Sequence, residues 1–307
     1  MEIYLPIAEM SVHWLLLFGV GGAVGFLSGM FGVGGGFLLT PLLIFYGIPS
    51  GVAVATTASH VTASSMSGAL TQWRNRAVDV KLAAVMTASG IVGTGVGVWL
   101  FGILRQAGQM ELIVSASYVI MLGTIGILML RESLETLAAA RRGEPGPSAK
   151  AQHHSWIHGL PLKMRFRESR LYISVIPPVL IGFSAGVLSA IMGIGGGFVL
   201  VPALIYLVRV PANMVMGTSL LQILFVTASS TILHAVSDFT VDIMLAAILI
   251  SGGVIGAQFG VRMASRLRGE QLRFLLAVLV LAVGARLLYG LLIAPSDPFS
   301  VAIVDTP

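Results

Sequence analysis

The stretch that decides the fold is Gly25–Pro41, which reads GFLSGMFGVGGGFLLTP. It returns 161 residues later in Gly186–Pro202, which reads GVLSAIMGIGGGFVLVP and is identical at 10 of 17 positions. Two further pairs of blocks follow in the same order: 55–57 with 217–219, and 78–98 with 241–261. Because the offset grows by only one residue from block to block, the chain is predicted to contain two copies of one structural unit.

The composition indicates that both copies lie in a membrane. Of the 307 residues, 56% are hydrophobic and only 10% are charged, and the mean hydropathy is +0.94. Soluble domains are about a quarter charged. The apolar runs are continuous rather than alternating, which favours membrane helices over barrel strands. We therefore predict an all-α polytopic membrane protein with Gly-rich helix breaks.

Ten apolar segments can be counted, at 14–31, 33–48, 51–71, 80–103, 110–130, 172–192, 197–208, 212–236, 242–261 and 273–294. They define a first membrane repeat at 14–130 and a second at 172–294, joined by a basic linker at 131–171. Each repeat has about five segments, an odd number, so the second must enter the membrane from the opposite side. This predicts two inverted-topology repeats. The first two segments of each repeat either span fully or form a re-entrant hairpin.

Charged residues give the predicted orientation. Lys and Arg cluster in the linker 131–171 and in the loops 72–81 and 262–272, whereas the loop at Asp238 and both chain ends are acidic. By the positive-inside rule, the linker is cytoplasmic and both termini are outside. Arg105 is the main exception. We expect a multi-pass protein of the cell (inner or plasma) membrane, without a cleaved signal peptide.

A glycine-rich turn is predicted to break a membrane helix in each repeat. The turns are Gly32–Gly36 and Gly193–Gly197, and a short apolar run starting with Phe follows each. A helix starting there aims its N–H groups and positive end at a cavity, which is a geometry that holds anions. Two such helix ends, from inverted halves, are expected to converge near the membrane midplane. Close helix packing is the alternative, but packing does not require three consecutive glycines. The predicted anion ligands in these turns are Gly34, Gly35, Gly36, Gly195, Gly196 and Gly197.

The third segment of each repeat carries polar residues inside an apolar span. Most of the hydroxyls can bond back to their own helix. His60 and Gln222 occupy matching positions, and such a residue within a span usually faces a cavity or partner. His60 is also the candidate for proton coupling, because its charge can switch near neutral pH. The predicted substrate ligands of these segments are Thr56, Thr57, His60, Thr218, Ser219 and Gln222.

Acidic residues are missing from the depth of every predicted span, which favours an anionic or neutral substrate over a cation. Asp79 and Asp242 match across the repeat and are interpreted as helix caps. The chain has no cysteine and no hydrolase motif, so no enzyme activity, cofactor or metal site is predicted. In the linker, His153, His154 and His158 lack the acidic or thiolate partners of a metal site.

These motifs together resemble the sulfite exporter TauE/SafE family of membrane transporters. The resemblance rests on the Gly-Gly-Gly turn, the Phe-Leu-Leu-x-Pro run, the Gly/Ala-Thr-Ser/Thr triplet and the Val-Asp entry to the next span. All are present twice, over 16–130 and 175–294. The resemblance implies export or uptake of sulfite and small organosulfur anions such as sulfonates. Ala55 in the first triplet, where the second has Gly217, and the long linker depart from the family pattern.

We therefore expect a secondary transporter that moves a small anion by alternating access, through rocking of the two repeats. The alternatives are an anion channel and a membrane-embedded enzyme. The expected partners are the small anion and the lipid bilayer, with no nucleic acid, and a homo-oligomer is left open. The exact substrate, the direction of transport and the coupling ion are left open as well.

Overall fold

The computed structural model describes residues 2–31, 35–142, 161–166, 168–169, 171–264 and 269–292 of the chain. Two halves have the same order of elements, a β-hairpin followed by five helices. The elements of the first half are β1 Glu2–Leu5, β2 Met10–His13, α1 Trp14–Phe31, α2 Gly36–Phe45, α3 Ser50–Arg74, α4 Val80–Gln106 and α5 Met110–Arg142.

The second half repeats this order with two local differences. Its elements are β3 Lys163–Phe166, β4 Leu171–Ser174, α6 Ile176–Met192, α7 Gly197–Pro202, α8 Ala212–Leu233, α9 Ile243–Ala264 and α10 Gly269–Leu292. Helices α7 and α8 continue as π-helical turns over Ala203–Val208 and His234–Asp238. Apart from the hairpins, the described elements match the ten predicted segments, so the prediction of an all-α polytopic membrane protein is confirmed.

Five of the described helices are long and apolar enough to cross a membrane: Val80–Gln106, Met110–Glu135, Met214–Asp238, Ile243–Gly260 and Phe274–Leu292. Helix α2 has only 10 residues, which extend about 15 Å at the rise of an α-helix. This is about half of a hydrocarbon core of roughly 30 Å. The length of α2 therefore favours the re-entrant alternative for the first two segments of a repeat.

Helices pair across the two halves rather than within them. Helix α1 packs along α9 and α6 packs along α4, so the first helix of each half packs against the other half. The equivalent helices α3 and α8 contact each other directly and run antiparallel, because Thr62 bonds Thr227 while Ser59 pairs with Thr231. Equivalent helices that run in opposite directions are what an inverted repeat requires. The membrane sides that the halves face remain a prediction.

Glycines allow these crossed helix pairs to touch at the backbone. A Cβ at Gly25 would overlap the carbonyl oxygen of Gly253, and a Cβ at Gly186 would overlap that of Gly90. The two contacts are equivalent in the repeat, one in the α1–α9 pair and one in the α6–α4 pair. In lipid, such close approach is a main source of helix association, because apolar surface gains little from leaving lipid.

Two β-hairpins open the halves, and the sequence analysis did not find them. Strand β1 pairs with β2 from Glu2–His13 to Leu5–Met10, and β3 pairs with β4 from Lys163–Ser174 to Phe166–Leu171. The side chains of Leu5 and Phe166 are fully buried at equivalent positions. Equivalent hairpins at residues 2–13 and 163–174 therefore precede the first helices of the two halves. The predicted repeat limits of 14 and 172 stay predictions.

Asp79 ties its own helix to the opposite half. Its Oδ1 atom caps α4 by accepting the Leu82 N–H at 3.0 Å, which confirms the predicted capping role. Its Oδ2 atom accepts the N–H of Ser169 in the turn of the second hairpin at 3.0 Å. Its own N–H donates to Thr218 Oγ1 on α8 at 3.0 Å.

Asp242 makes the equivalent set of bonds from the second half to the first. Its Oδ1 atom caps α9 through the Leu245 N–H at 3.0 Å, and its Oδ2 atom accepts the Ile7 N–H of the first hairpin at 3.1 Å. Its own N–H donates to Thr56 Oγ1 at 3.2 Å. Both aspartates are fully buried. We call these two equivalent sets of hydrogen bonds the aspartate clamps, and they hold the halves together at opposite ends of the bundle.

The predicted linker contains regular structure at both of its ends. Helix α5 runs to Arg142, twelve residues beyond the predicted end of the first repeat, and the hairpin β3–β4 occupies residues 163–174. Residues 143–160, with the three linker histidines, lie outside the described residues. The predicted boundaries at 131 and 171 stay predictions.

We predict that Asp79→Ala lowers the stability of the protein by about 3 kcal/mol, because the helix cap and the bond to the Ser169 N–H of the other half are lost together and two buried N–H groups are left unpaired. Thermal unfolding of the purified protein in detergent measures this. The control is Glu111→Ala, which removes an exposed carboxylate from the first turn of α5. Equal unfolding temperatures for the two variants would contradict the clamp.

We predict that Gly93→Ala and Gly95→Ala have opposite effects although both lie on α4. A Cβ at Gly93 would overlap the carbonyl oxygen of Phe183 on α6, whereas nothing lies within 4 Å of a Cβ at Gly95. Overpacking at position 93 should cost about 1–3 kcal/mol. In thermal unfolding, Gly95→Ala should match or exceed the native protein, and a similar loss in both variants would disprove the backbone contact.

Candidate functional site

The two glycine-rich turns meet between the halves, as the sequence analysis proposed. The rings of Phe37 and Phe198, which follow the turns at equivalent positions, stack with centroids 4.9 Å apart. A Cβ at Gly36 would lie 3.1 Å from the carbonyl oxygen of Gly193, so the turns also touch at the backbone. Gly34 lies outside the described residues.

His60 lies beside the start of the first short helix. Its side chain is only 2% exposed, and its Nδ1 atom has no hydrogen-bond partner. Its Cε1 atom is 3.6 Å from where a Cβ of Gly35 would be, at the N-terminal cap of α2. On the other side of the ring, a Cβ at Gly253 of α9 would overlap the Nε2 atom. The absence of side chains at both glycines makes room for the imidazole.

Gln222 occupies the equivalent place in the second half, against α4. A Cβ at Gly90, the counterpart of Gly253, would lie 3.1 Å from Gln222 Nε2. The amide is fully buried, and neither its oxygen nor its nitrogen has a hydrogen-bond partner. A buried amide with both ends unpaired is costly, because each group loses its bonds to water without replacement.

Further unpaired hydroxyls lie along α3 and α8. Thr57 Oγ1 and Ser65 Oγ on α3 and Ser230 Oγ on α8 are buried without a partner. Other hydroxyls of these helices bond back to their own backbone, as with Thr62 to the Ala58 carbonyl oxygen and Thr227 to that of Ile223. Bonding to their own helix therefore accounts for some hydroxyls of the predicted polar clusters. It does not account for the three unpaired hydroxyls.

Thr56, Thr218 and Ser219 have hydrogen bonds inside the protein. The hydroxyls of Thr56 and Thr218 accept the N–H groups of Asp242 and Asp79, and Ser219 bonds back to the Met216 carbonyl oxygen. The two clamps lie at the N-terminal ends of α3 and α8, which are at opposite ends of the bundle. Thr56, Thr218 and Ser219 therefore do not surround one site together with His60. Their assignment as substrate ligands stays a prediction.

The second glycine turn is built differently from the first. Gly195 and Gly196 have φ angles of 75° and 72°, in the left-handed region that favours glycine. A Cβ at Gly195 would lie 2.8 Å from Val61, Ile223 and Thr227, so the turn rests against α3 and α8. The α-helical part that begins at Gly197 has only six residues. The attraction of an anion to a positive helix N-terminus is therefore expected to be stronger at α2.

The broken end of α6 has partners that the sequence analysis missed. The carbonyl oxygen of Met192 accepts the Tyr118 hydroxyl at 2.6 Å and the Thr40 hydroxyl at 3.2 Å. The carbonyl oxygen of Ala190 lies 2.9 Å from His234 Nε2. Thr40 was the available signal in the sequence, because its counterpart in the other repeat is the apolar Val201.

His234 is paired on both of its ring nitrogens. Its Nδ1 atom lies 2.9 Å from Asp238 Oδ2, and its ring packs edge-on against Phe101 with centroids 4.5 Å apart. Arg105 donates from Nη1 to the Asp238 carbonyl oxygen at 2.8 Å. The one cation that violated the charge pattern is therefore bound to the acidic end of α8.

A search against known proteins identifies the family. The model of the family described as sulfite exporter TauE/SafE matches residues 17–287. The chain belongs to the TauE/SafE family. It is a membrane transporter by this membership and by its relatives, which are described as probable membrane transporter proteins.

Three relatives show how widely this architecture extends. YjnA of Bacillus subtilis is 30% identical over 91% of this chain and 100% of its own length. A protein of Xylella fastidiosa (strain Temecula1) is 29% identical over 89% of this chain and 95% of its own length. MJ0441 of Methanocaldococcus jannaschii is 26% identical over 88% of this chain and 93% of its own length. No solved structure was found to match the chain.

In this TauE/SafE chain, the described residues of the site contain no carboxylate that faces the glycine turns. The buried Asp79 and Asp242 cap the N-termini of α4 and α9, and Asp238 is paired with His234. Neutral donors therefore dominate around the turns. Arg286 of α10 lies 5.2 Å over the ring of Phe45, the last residue of α2, in a cation–π contact.

We predict that Gln222→Met raises the stability of the protein by about 1 kcal/mol, because it replaces an unpaired buried amide with an apolar side chain of similar shape. Thermal unfolding without added anion measures the change. The control is Ser229→Ala, which removes a hydroxyl that only bonds back to the Phe225 carbonyl oxygen and should leave stability unchanged. A clear loss of stability in Gln222→Met would show that the amide is paired in the folded protein.

Proposed function

We propose that this TauE/SafE protein is a secondary transporter of a small anion, either sulfite, a sulfonate or another organosulfur anion, and that it works by alternating access. The observation that carries the proposal is the group of buried polar atoms without partners where the halves meet: His60 Nδ1, both amide atoms of Gln222, and Thr57 Oγ1. A buried polar group without a partner requires an explanation, and a ligand that completes its bonding is the explanation proposed here.

An anion fits the polarity of these groups. The amide nitrogen of Gln222 and the hydroxyl of Thr57 are neutral donors, and a protonated His60 adds a positive donor. The α2 helix begins beside His60, and the first N–H groups of a helix have no partners within the helix. A deprotonated sulfite ion or sulfonate group has three acceptor oxygens and no donor, so donors on several sides are what it requires.

Alternating access follows from the equivalence of the halves. His60 packs on α9 and Gln222 packs on α4, so each polar group faces the helix that the other half contributes. A rocking of one half against the other would exchange the environments of these two groups, since their surroundings are related by the repeat. The antiparallel contact of α3 with α8 is the natural pivot of this motion.

The proposed orientation has the first hairpin outside the cell and the second in the cytoplasm. The first hairpin carries Glu2 and Glu9, whereas the second carries Lys163 and Arg165 in its strands. These residues belong to the acidic chain end and the basic linker from which the positive-inside assignment was made. The proposed location is the cell membrane, with the lipid bilayer and the small anion as partners.

The test of the substrate class is binding to the purified protein. Sulfite, thiosulfate, taurine and sulfoacetate are compared with sulfate by thermal unfolding, because a ligand of the folded state raises stability by mass action. We expect saturable stabilisation by at least one sulfur oxyanion or sulfonate, reduced at least tenfold in affinity by Thr57→Val. Ser64→Ala is the matched control on α3, since that hydroxyl bonds back to the Val61 carbonyl oxygen.

Stabilisation only by a cation or by a solute without an anionic group would contradict the anion assignment. Proteoliposomes separate a transporter from a channel: a transporter accelerates uptake of labelled anion when unlabelled anion is trapped on the opposite side. Conductance that does not saturate, without this counterflow, would favour the channel.

Proton coupling is tested by His60→Gln, which places in the first half the residue that the second half has at the equivalent position. We expect transport to persist but its dependence on pH to flatten, since glutamine cannot exchange a proton. His13→Gln, a change at an exposed residue of strand β2, is the control. Full transport with unchanged pH dependence in His60→Gln would exclude His60 as the coupling group.

A further inference from the structure

A large open cavity lies at the end of the bundle where α3 meets α4. Its volume is about 640 Å³, and its wall is shared by the α3–α4 loop and the second hairpin. The lining residues are Trp73, Arg76, Val78, Asp79, Val80, Lys81, Arg165 and Glu168. This cavity is separate from the unpaired polar atoms at the centre, and the proposed transport step does not use it.

Three cations from three segments converge on this cavity. Arg76 lies in the α3–α4 connection, Lys81 lies in the first turn of α4, and Arg165 lies in β3. Among the residues that the structure describes, no carboxylate lies within ion-pair distance of any of the three. Lys81 Nζ donates to the carbonyl oxygen of Arg165 at 3.4 Å, which holds the ammonium group over the hairpin.

Two carboxylates also border the cavity, but one of them is already in use. Both oxygens of Asp79 accept backbone N–H groups, and the side chain is fully buried under the hairpin. Glu168 is exposed in the hairpin turn. The cavity therefore presents more positive than negative charge to a ligand.

The fold itself does not require these cations. The counterparts of Arg76, Lys81 and Arg165 in the repeat are Phe239, Met244 and Tyr4, all of them exposed. The correspondence is structural as well, because Arg76 and Phe239 have left-handed φ angles of 55° and 53°. The same backbone thus carries a basic cavity in one half and apolar side chains in the other.

We propose that this cavity binds a phosphate-class oxyanion, supplied by the headgroup of an anionic phospholipid or by free phosphate in solution. Guanidinium groups match tetrahedral oxyanions through two parallel hydrogen bonds, and an ammonium group adds a point charge. Trp73 is exposed at the end of α3 and has the amphipathic character of residues that sit at headgroup level. Basic pockets at the ends of membrane helices are suited to lipid headgroups.

The experiment uses the purified full-length chain in an uncharged detergent. Thermal unfolding is recorded with phosphatidylglycerol or phosphatidylcholine at equal mole fraction, and separately with sodium phosphate or sodium chloride at equal ionic strength. We expect phosphatidylglycerol to raise the midpoint by several degrees more than phosphatidylcholine. The double variant Arg76→Gln with Arg165→Gln should lose at least half of this difference.

Arg131→Gln is the matched control, because this exposed residue of α5 carries the same charge outside the cavity and should keep the full difference. If the double variant unfolds in phosphatidylcholine, the single variant Lys81→Gln takes its place. Stabilisation by inorganic phosphate without an effect of phosphatidylglycerol would support the site with a soluble source.

Two results would overturn the proposal. One is equal midpoints with all four additives. The other is the same loss in Arg131→Gln as in the cavity variants, which would indicate attraction to total surface charge. The transport proposal is judged by sulfur anions and Thr57→Val, so the failure of one does not imply the failure of the other.

Discussion

The two aspartate clamps are the constraint on which the rest of the structure depends. Asp79 and Asp242 each begin a helix, accept an N–H from the hairpin of the other half, and donate their own N–H to a threonine of that half. Hydrophobic burial gives little net association in lipid, so hydrogen bonds and close backbone contact must fix how helices pair. The clamps specify the pairing at the two ends, and the glycine contacts of α1 with α9 and of α6 with α4 continue it through the bundle.

This arrangement leaves polar groups unpaired at the centre. The hydroxyls at the ends of α3 and α8 are consumed by the clamps, whereas His60, Thr57 and Gln222 lie farther along these helices without partners. A protein selected only for stability would replace such groups with apolar ones, because each costs about 1–3 kcal/mol. Their retention beside the meeting glycine turns is the reason why the site is assigned there and not to the better-bonded His234 and Asp238.

Much of the fold could be predicted from the sequence, because the repeat is carried by glycines, prolines and apolar runs that survive as identities. The ten segments, the capping role of Asp79 and Asp242, and the meeting of the glycine turns all followed from these patterns. The hairpins did not, since residues 2–13 and 163–174 share no identity at the offset of 161. They preserve only the alternation that buries Leu5 and Phe166, and four-residue strands of this kind leave a weak signal.

The composition of the site was harder to predict than its position. Thr56 and Thr218 have the same sequence signature as Thr57, yet their hydroxyls bond partners 186 and 139 residues away in the chain. Nothing local in the sequence distinguishes a hydroxyl that closes such a clamp from one that is left unpaired. Likewise, the basic cavity required the hairpin to place Arg165 next to Arg76 and Lys81.

The central claim is that a small sulfur anion binds where α3 of the first half contacts α8 of the second half. The most direct measurement is a crystal structure of the protein soaked with 2-bromoethanesulfonate, at a concentration that stabilises it in solution, with anomalous diffraction recorded at the bromine edge. The account predicts a bromine peak between α3 and α8, within a few ångströms of Gln222, His60 or Thr57. A peak elsewhere in the molecule, or none at that concentration, would contradict it.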